Sequence, residues 1–329
     1  MKSFANVNAR DLAQAVAVSN RARAENKSAS FVGGGSDLLA LVKERIVAPD
    51  VIVNLKTTKG LDQVTTSRGG VTIGALMTLD ALSGHPAIGR DHAVLAEAAG
   101  SVATPQIRNV GTLGGNICQR PWCWYFRNGF PCLKNGGNTC FSATGENQFH
   151  AIFGGGPSYI VHPSDTAPAL VALDATFRIV GPAGERTVPA SEFFILPRED
   201  AKRENALGSD EVLASVHVPA PRPGTRSTYH KILDREAWTH AVVSAAIVLE
   251  MDGEVCRRGR IVLGGVAPVP WRVPEAEALL TGQRITPELA AKVGEAAVAG
   301  ARPLANNAYK VPLTRNVVRR TLLELAARA

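Results

Sequence analysis

Short apolar runs of strand character alternate with stripes at helical spacing through the first half of this chain. Asn8 and Asp11 precede Leu12, Ala15, Val16 and Ala17, which predicts a capped helix with one apolar face. Ser30-Phe31-Val32 reads as a short strand, Gly33-Gly34-Gly35 as the turn after it, and Leu38-Leu39-x-Leu41-Val42 as the next helix. Val51–Val53 and residues 71–74 read as strands, Thr78 and Asp80 open a short helix, and residues 91–103 form a helix of small side chains. Residues 104–165 then lose periodicity and fill with Gly, Pro, Asn and Cys; an irregular stretch this long usually carries function or disorder. Ser158–Val161 is expected to be a strand, Asp165–Leu173 a helix, and the segments near 176–180 and 211–218 strands.

Pro219–Gly224 is the best linker in the chain. Beyond it, residues 241–250 and 255–263 flank Asp252-Gly253, a strong hairpin signal. Three helical stripes follow, near 273–281, 286–299 and 314–327; Thr286-Pro287-Glu288 opens the second with a cap and a first-turn proline. No repeat at a solenoid period is present.

At 329 residues the chain has room for two domains or three. A chain of this size buries roughly 75% of its unfolded surface, so its core needs no disulfide staples. Hydrophobic residues at 45% and charged residues at 20% argue against disorder and against a fibrous repeat. The net charge of +7 favours an anionic ligand or an acidic partner, but no basic run suggests nucleic acid. No apolar run approaches the roughly 18 residues of a membrane span. The N-terminal residues lack an apolar signal region, and the pair Arg319-Arg320 lies at the wrong end for a twin-arginine signal. The expected location is cytoplasmic, with a periplasmic one open by co-export with a signal-bearing partner.

The three glycines at 33–35 each cost about 0.5–1 kcal/mol against alanine through backbone entropy. Between a strand and a helix, their amides and the Ser36 hydroxyl suit an anion; an ordinary strand–helix turn is the plain alternative. The dinucleotide pattern G-x-G-x-x-G is absent. Gly111-Thr112-Leu113-Gly114-Gly115-Asn116 is a second loop whose amides suit a phosphate or a flavin ring. In His162-Pro163-Ser164-Asp165, Ser164 or Asp165 can cap the following helix, and a carboxylate there can also accept from a ribose or adenine donor.

Four of the five cysteines, Cys118, Cys123, Cys132 and Cys140, fall within 23 residues. Without a secretory signal, such a cluster reads as a metal or redox centre rather than as disulfides. The spacing lacks the C-x-x-C knuckles of structural zinc. It suits a [4Fe–4S] cluster, with zinc and an unliganded loop as the alternatives. Trp122, Trp124, Tyr125, Phe126 and Phe130 interleave with the thiols and can exclude water from a cluster, or simply form a small aromatic core. Cys256 reads as a small buried hydrophobe.

Taken in order, Val32-Gly-Gly-Gly-Ser-Asp-Leu-Leu39, Thr112-Leu-Gly-Gly-Asn116, Pro163-Ser-Asp165 and Tyr229-His-Lys231 resemble the FAD-binding subunit of the molybdenum hydroxylases. That family includes xanthine dehydrogenases, aldehyde oxidoreductases and carbon monoxide dehydrogenases, and the resemblance runs over nearly the whole chain. It implies an α+β fold: a PCMH-type FAD-binding domain of two α/β subdomains over residues 1–222 (1–58 and 59–222, with an iron–sulfur insertion at 117–157). A C-terminal domain of antiparallel sheet plus helices, like that of the CO dehydrogenase flavoproteins, follows over residues 226–329. It further implies that Val32, Gly33, Gly34, Gly35, Ser36, Asp37, Leu38 and Leu39 hold the FAD pyrophosphate. Thr112, Leu113, Gly114, Gly115 and Asn116 would lie by the flavin, Asp165 on the adenosine ribose side, Lys231 near the flavin, and Val102 and Leu213 at apolar contacts.

In most members the Gly-Gly-Asn turn and the Ser-Asp pair are close in sequence; here the cysteine segment separates them. That insertion resembles the subgroup with an added [4Fe–4S] cluster, found in 4-hydroxybenzoyl-CoA reductases and bacterial aldehyde oxidoreductases of the periplasmic type. The subgroup's ligand cysteine before His-Pro-Ser-Asp is replaced here by Ser158, so Cys118 is expected to supply the fourth thiolate, with His150 as the fallback. The implied function is electron transfer between a molybdenum-cofactor large subunit, a [2Fe–2S] small subunit and an external acceptor: ferredoxin, NAD, a quinone or oxygen. A zinc-stabilised assembly factor and a stand-alone flavin oxidoreductase are the competing readings.

Overall fold

The computed structural model describes residues 2–235 and 240–328. It contains three sheets. The first is parallel, in the order β1-β3-β2, and is built by β1 (Ala5–Asn8), α1 (Leu12–Ala24), β2 (Ala29–Val32), α2 (Leu38–Lys43) and β3 (Val51–Asn54). Asp11 caps α1 by accepting from the Gln14 amide at 2.7 Å. Asn8 does not cap it: it ends β1 and accepts from the Asn54 side chain at 2.9 Å. Ala15 and Val16 of α1 pack with Val53 and Leu55 against Val212 of the neighbouring sheet.

The middle unit holds β4 (Val64–Ser67), β5 (Gly70–Gly74), then α3 (Leu79–Ser83), α4 (Pro86–Asp91), α5 (Ala93–Gly100), α6 (Pro105–Val110), α7 (Leu113–Ile117) and α8 (Trp124–Arg127). It closes with α9 (Thr166–Ala172), β6 (Thr176–Gly181), β7 (Gly184–Pro189), α10 (Ala190–Phe193) and β8 (Val212–Pro219). Its sheet is antiparallel, in the order β4-β5-β8-β6-β7. Ile73, Leu95, Leu113, Phe177, Phe193 and Val216 sit at the centre of the largest core.

The last unit holds β9 (Thr225–Ile232), β10 (Val243–Asp252), β11 (Val255–Gly264), β12 (Trp271–Arg272), α11 (Pro274–Ala278), β13 (Gln283–Arg284), α12 (Pro287–Val298) and α13 (Lys310–Ala327). The order β12-β11-β10-β9 is antiparallel, and the hairpin turns at Asp252-Gly253, where Gly253 has φ +58°. Thr286 caps α12 through the Leu289 amide at 3.2 Å. Cys256 is buried in β11 among the apolar residues of this unit. The chain is thus a mixed α/β unit followed by an antiparallel sheet with helices. No helix among the described residues is long and apolar enough to cross a membrane.

Four further sequence expectations change. Ser158–Val161 is no strand: its backbone bonds singly, Tyr159 accepting from Ala151 (2.9 Å) and His162 donating to Ala267 (2.9 Å), so no ladder forms. The helix expected over 91–103 is shorter, because α4 ends at Asp91, α5 stops at Gly100, and Ala103 has φ +44°. The stretch after residue 104 is less irregular than its composition suggests: Thr104 and Thr112 cap α6 and α7. Pro219–Gly224 is pinned rather than loose, since a Cβ on Gly224 would lie 2.2 Å from the Met251 carbonyl oxygen.

One lysine joins the parts. Lys310, fully buried at the start of α13, donates to the carbonyls of Phe149 (2.9 Å) and Gly265 (2.8 Å). Burial lowers its pKa to about 7. Between that value and the ordinary lysine range the unfolded chain binds more protons than the folded one, so stability rises with pH there and is lost as pH falls toward 7. Urea midpoints measured across that range are expected to climb with pH, and Lys310→Met should flatten the climb.

Candidate functional site

The two glycine loops face each other. A Cβ on Gly34 would lie 2.0 Å from the carbonyl oxygen of Val110, and one on Gly33 would lie 2.9 Å from Thr112 Oγ1. Gly35 has φ +78°, a backbone conformation glycine adopts without strain. The amides of Gly34, Gly35 and Ser36 donate to no acceptor among the described residues, which leaves a concave row of N–H groups. Thr112 Oγ1 caps α7 by accepting from the Gly115 amide at 3.1 Å.

Between the loops lies a cleft of about 610 Å³, within the usual range for a cofactor site. Val32, Gly33, Gly34, Gly35, Ser36, Asp37, Leu38, Val102, Thr112, Gly115, Asn116 and Asp165 line it. Five expected residues lie off its wall. Leu39 is exposed, Leu113, Gly114 and Leu213 are buried in the fold, and Lys231 stands behind Asp165. Gln119, Arg120, Trp122, His240 and the loop Glu204–Ser209 also line the cleft. Trp122 was legible as one of the aromatics among the thiols, and Gln119 and Arg120 only by proximity to the second glycine loop; His240 and the 204–209 loop carried no sequence signal.

Folding closes the gap that the insertion opens in the sequence. Asn116 Oδ1 accepts from Ser164 Oγ (2.6 Å) and Thr166 Oγ1 (2.7 Å), though Ser164 is 48 positions away. Beside them, Asp165 accepts from Tyr229 Oη (2.6 Å) and from Lys231 Nζ (2.7 Å), both on β9. Lys231 also donates to the Ser101 carbonyl at 2.9 Å. Burial raises the pKa of Asp165, against the pull of Lys231.

The cysteines divide. Cys123, Cys132 and Cys140 line one small cavity with Ser142, Ser158 and a wall that includes Phe126 and Phe141. Cys118 is not with them: it packs against the central core and lines the cleft, which corrects the expectation of four converging thiols. Burial pushes Cys118 up to about 12 and Cys123 up to about 11; amides of Phe126 and Tyr125 oppose the rise at Cys123, and negative charge on Cys140 or Cys132 adds to it. Cys140 Sγ lies 3.1 Å from Ser142 Oγ and accepts from the Tyr159 amide at 3.5 Å. Ser158 is a buried residue, 3% exposed, on the same wall. His150 Nε2 is 3.3 Å from Cys123 Sγ, but His150 lines the adjoining narrow cavity instead. That cavity shares Trp122, Asp165 and His240 with the cleft and Cys123 with the thiol site. Tyr125, Phe130 and Phe141 pack with ring centroids 5.2–6.0 Å apart beside the thiols. Among the described residues, no three His, Cys, Asp or Glu side chains form a group that could hold a metal ion.

Residues 2–221 match the FAD binding domain in molybdopterin dehydrogenase, and residues 228–325 match the CO dehydrogenase flavoprotein C-terminal domain. The chain belongs to this family, and it is a flavoprotein subunit of the oxidoreductase class. It is 35% identical over 306 residues to the aldehyde oxidoreductase FAD-binding subunit PaoB of Escherichia coli (strain K12), covering 92% of each chain. It is 29% identical to the carbon monoxide dehydrogenase medium chain of Hydrogenophaga pseudoflava, covering 89% of this chain and 88% of that one. Among solved structures it is similar to the carbon monoxide dehydrogenase of Hydrogenophaga pseudoflava that lacks the Mo-pyranopterin moiety, with TM-score 0.78, 27% identity, and coverage of 99% and 98%. Quinoline 2-oxidoreductase from Pseudomonas putida 86 aligns with TM-score 0.77 and 25% identity over 99% of each chain.

Proposed function

We propose that this chain is the electron-transfer subunit of a heterotrimeric molybdenum hydroxylase of the aldehyde oxidoreductase or xanthine dehydrogenase type. The observation that carries the reading is the pair of interlocked glycine loops across an open cleft, with three free amides on one loop and Thr112 and Asn116 on the other. Bound FAD supplies one- and two-electron redox chemistry; the protein supplies position and field. The amides of Gly34, Gly35 and Ser36 suit the pyrophosphate, and Asn116 locks the second loop to the Ser164–Thr166 turn. Lys231 and Tyr229 fix the Asp165 carboxylate at the wall. The chain carries no ferredoxin-type C-x4-C-x2-C set. A molybdenum-cofactor subunit and a [2Fe–2S] subunit therefore complete the complex, and substrate oxidation takes place on the former.

In this reading Cys123, Cys132 and Cys140 would hold a [4Fe–4S] cluster, which would add a one-electron carrier beside the flavin. What supports it is that the three thiols line one cavity, flanked by N–H donors and aromatic rings, although as placed they form no single-ion site; Ser158 on the same wall would be the fourth ligand. The chain purified anaerobically with its partners is expected to be yellow-brown, with FAD and about four irons per copy of this chain beyond those of the [2Fe–2S] subunit. Cys123→Ala should remove that additional iron while Cys118→Ser keeps it. Iron that survives the first change and is lost in the second overturns this ligand set. Full-rate aldehyde oxidation by the isolated chain would overturn the subunit assignment.

A further inference from the structure

The cleft is lined by acids, which is unexpected for a site that takes a pyrophosphate. Asp37, Asp165, Glu204 and Glu211 all stand on its wall. Each has its own cation. Lys231 serves Asp165, and Arg186 serves Glu211 at 2.7 Å. The cations on the other two all come from the cysteine-bearing segment: Arg127 on Asp37 (2.6 Å), and Lys134 (2.6 Å) and Arg120 (3.1 Å) on Glu204.

Arg127 is the pivot. It sits at the end of the short helix that begins after Cys123, and its side chain is 6% exposed, so its charge is largely desolvated. One arm of its guanidinium donates to Asp37 and the other to Glu44 of the first sheet unit, at 3.3 Å. It also donates to the carbonyls of Pro121 (2.9 Å) and Arg120 (3.0 Å), and lies 4.2 Å from the Trp122 ring centroid. The second oxygen of Asp37 accepts the Arg120 amide at 2.9 Å. Asp37 immediately follows the free amides of Gly34–Ser36, so whatever holds its carboxylate also holds the loop. At Glu204, burial alone would raise the pKa, but Lys134 and Arg120 hold it below the usual carboxylate range.

We propose that Arg127 is a positioning residue for FAD: it neutralises Asp37 and fixes the anion-binding loop, so that the cysteine segment and the flavin site form one coupled unit. An unpaired Asp37 would repel a pyrophosphate across the loop, and a loop released from Arg127 would lose the alignment of its amides. Because coupling between sites is reciprocal, FAD also stabilises the segment that carries the thiols. The proposal rests on FAD occupying the cleft.

The test is titration of the full-length apoprotein with FAD by calorimetry, at low and at moderate salt. Arg127→Met is expected to weaken FAD at least tenfold, with a larger effect at low salt because the exposed negative charge is then less screened. Arg127→Met combined with Asp37→Asn is expected to recover most of the lost affinity. Denaturant midpoints of the apo variants separate the roles: an affinity loss wholly accounted for by lost stability marks a purely structural Arg127 and overturns the proposal. If the methionine variant fails to fold, Arg127→Gln carries the same two expectations. Wild-type affinity in the single variant, or no recovery in the double variant, overturns the proposal. Failure of the wild-type chain to bind FAD overturns the cleft reading itself.

Discussion

Gly34→Ala is expected to yield a folded chain that no longer retains flavin. The added Cβ would meet the Val110 carbonyl oxygen at 2.0 Å and its carbon at 2.7 Å, and the Gly111 Cα at 3.0 Å. All three are backbone atoms, so no side-chain rotation relieves the contact. The loops must separate, which displaces Gly34, Gly35 and Ser36 on the cleft wall relative to Thr112. Overpacking of this kind typically costs 1–3 kcal/mol, or about a tenfold to a hundredfold loss in affinity if it falls on the bound state. Flavin absorbance per chain after gel filtration is the measurement. Gly89→Ala is the control: it lies inside α4 with nothing within 4 Å, and it should bind FAD normally while gaining up to about 1 kcal/mol in stability. Full flavin retention by Gly34→Ala would show that the loops do not form the cofactor wall.

Asp165→Asn should destabilise the fold by about 3–5 kcal/mol, the usual cost of leaving a buried charge without its partner. Both side chains of the Asp165–Lys231 pair are 5% exposed, so water cannot take over solvation of the ammonium. Tyr229 loses a charged acceptor at the same time. The double variant Asp165→Asn, Lys231→Met removes both charges and is expected to be more stable than Asp165→Asn alone. Denaturant midpoints of the apoprotein measure this without reference to FAD. A double variant no more stable than the single one would mean that packing, not charge, sets the cost. The pair also joins β9 of the last unit to the turn beside Asn116, so its loss should loosen the cleft wall as well.

Local chemistry wrote part of the fold plainly. Asp252-Gly253 between apolar runs, Thr286 before Pro287, and Asp11 before an apolar stripe each need only neighbouring residues to act, and each acts as its chemistry requires. Glycine runs announced a close approach, because little else justifies their entropy. Strands β1, β4, β7 and β9 were not legible: all four are sheet edges, and β4 and β7 are largely exposed, so they carry no continuous apolar signal; β1 in addition pairs with β3, more than forty residues on. Ser158–Val161 misled for the converse reason: β-branched and aromatic residues make an extended chain, but a strand also requires a neighbour with free backbone groups.

The amino-acid sequence by itself determined which groups were available: two glycine turns, a Ser-Asp cap and a knot of thiols among aromatic rings. Only the tertiary structure decided who meets whom. It brought Ser164 onto Asn116 across the insertion, sent Cys118 to the cleft instead of to the other thiols, and set Arg127 on Asp37. Side-chain identity is a local property, whereas burial, charge pairing and loop contact arise between segments distant in the chain, and those pairings exist only once the sheets and their cores have packed.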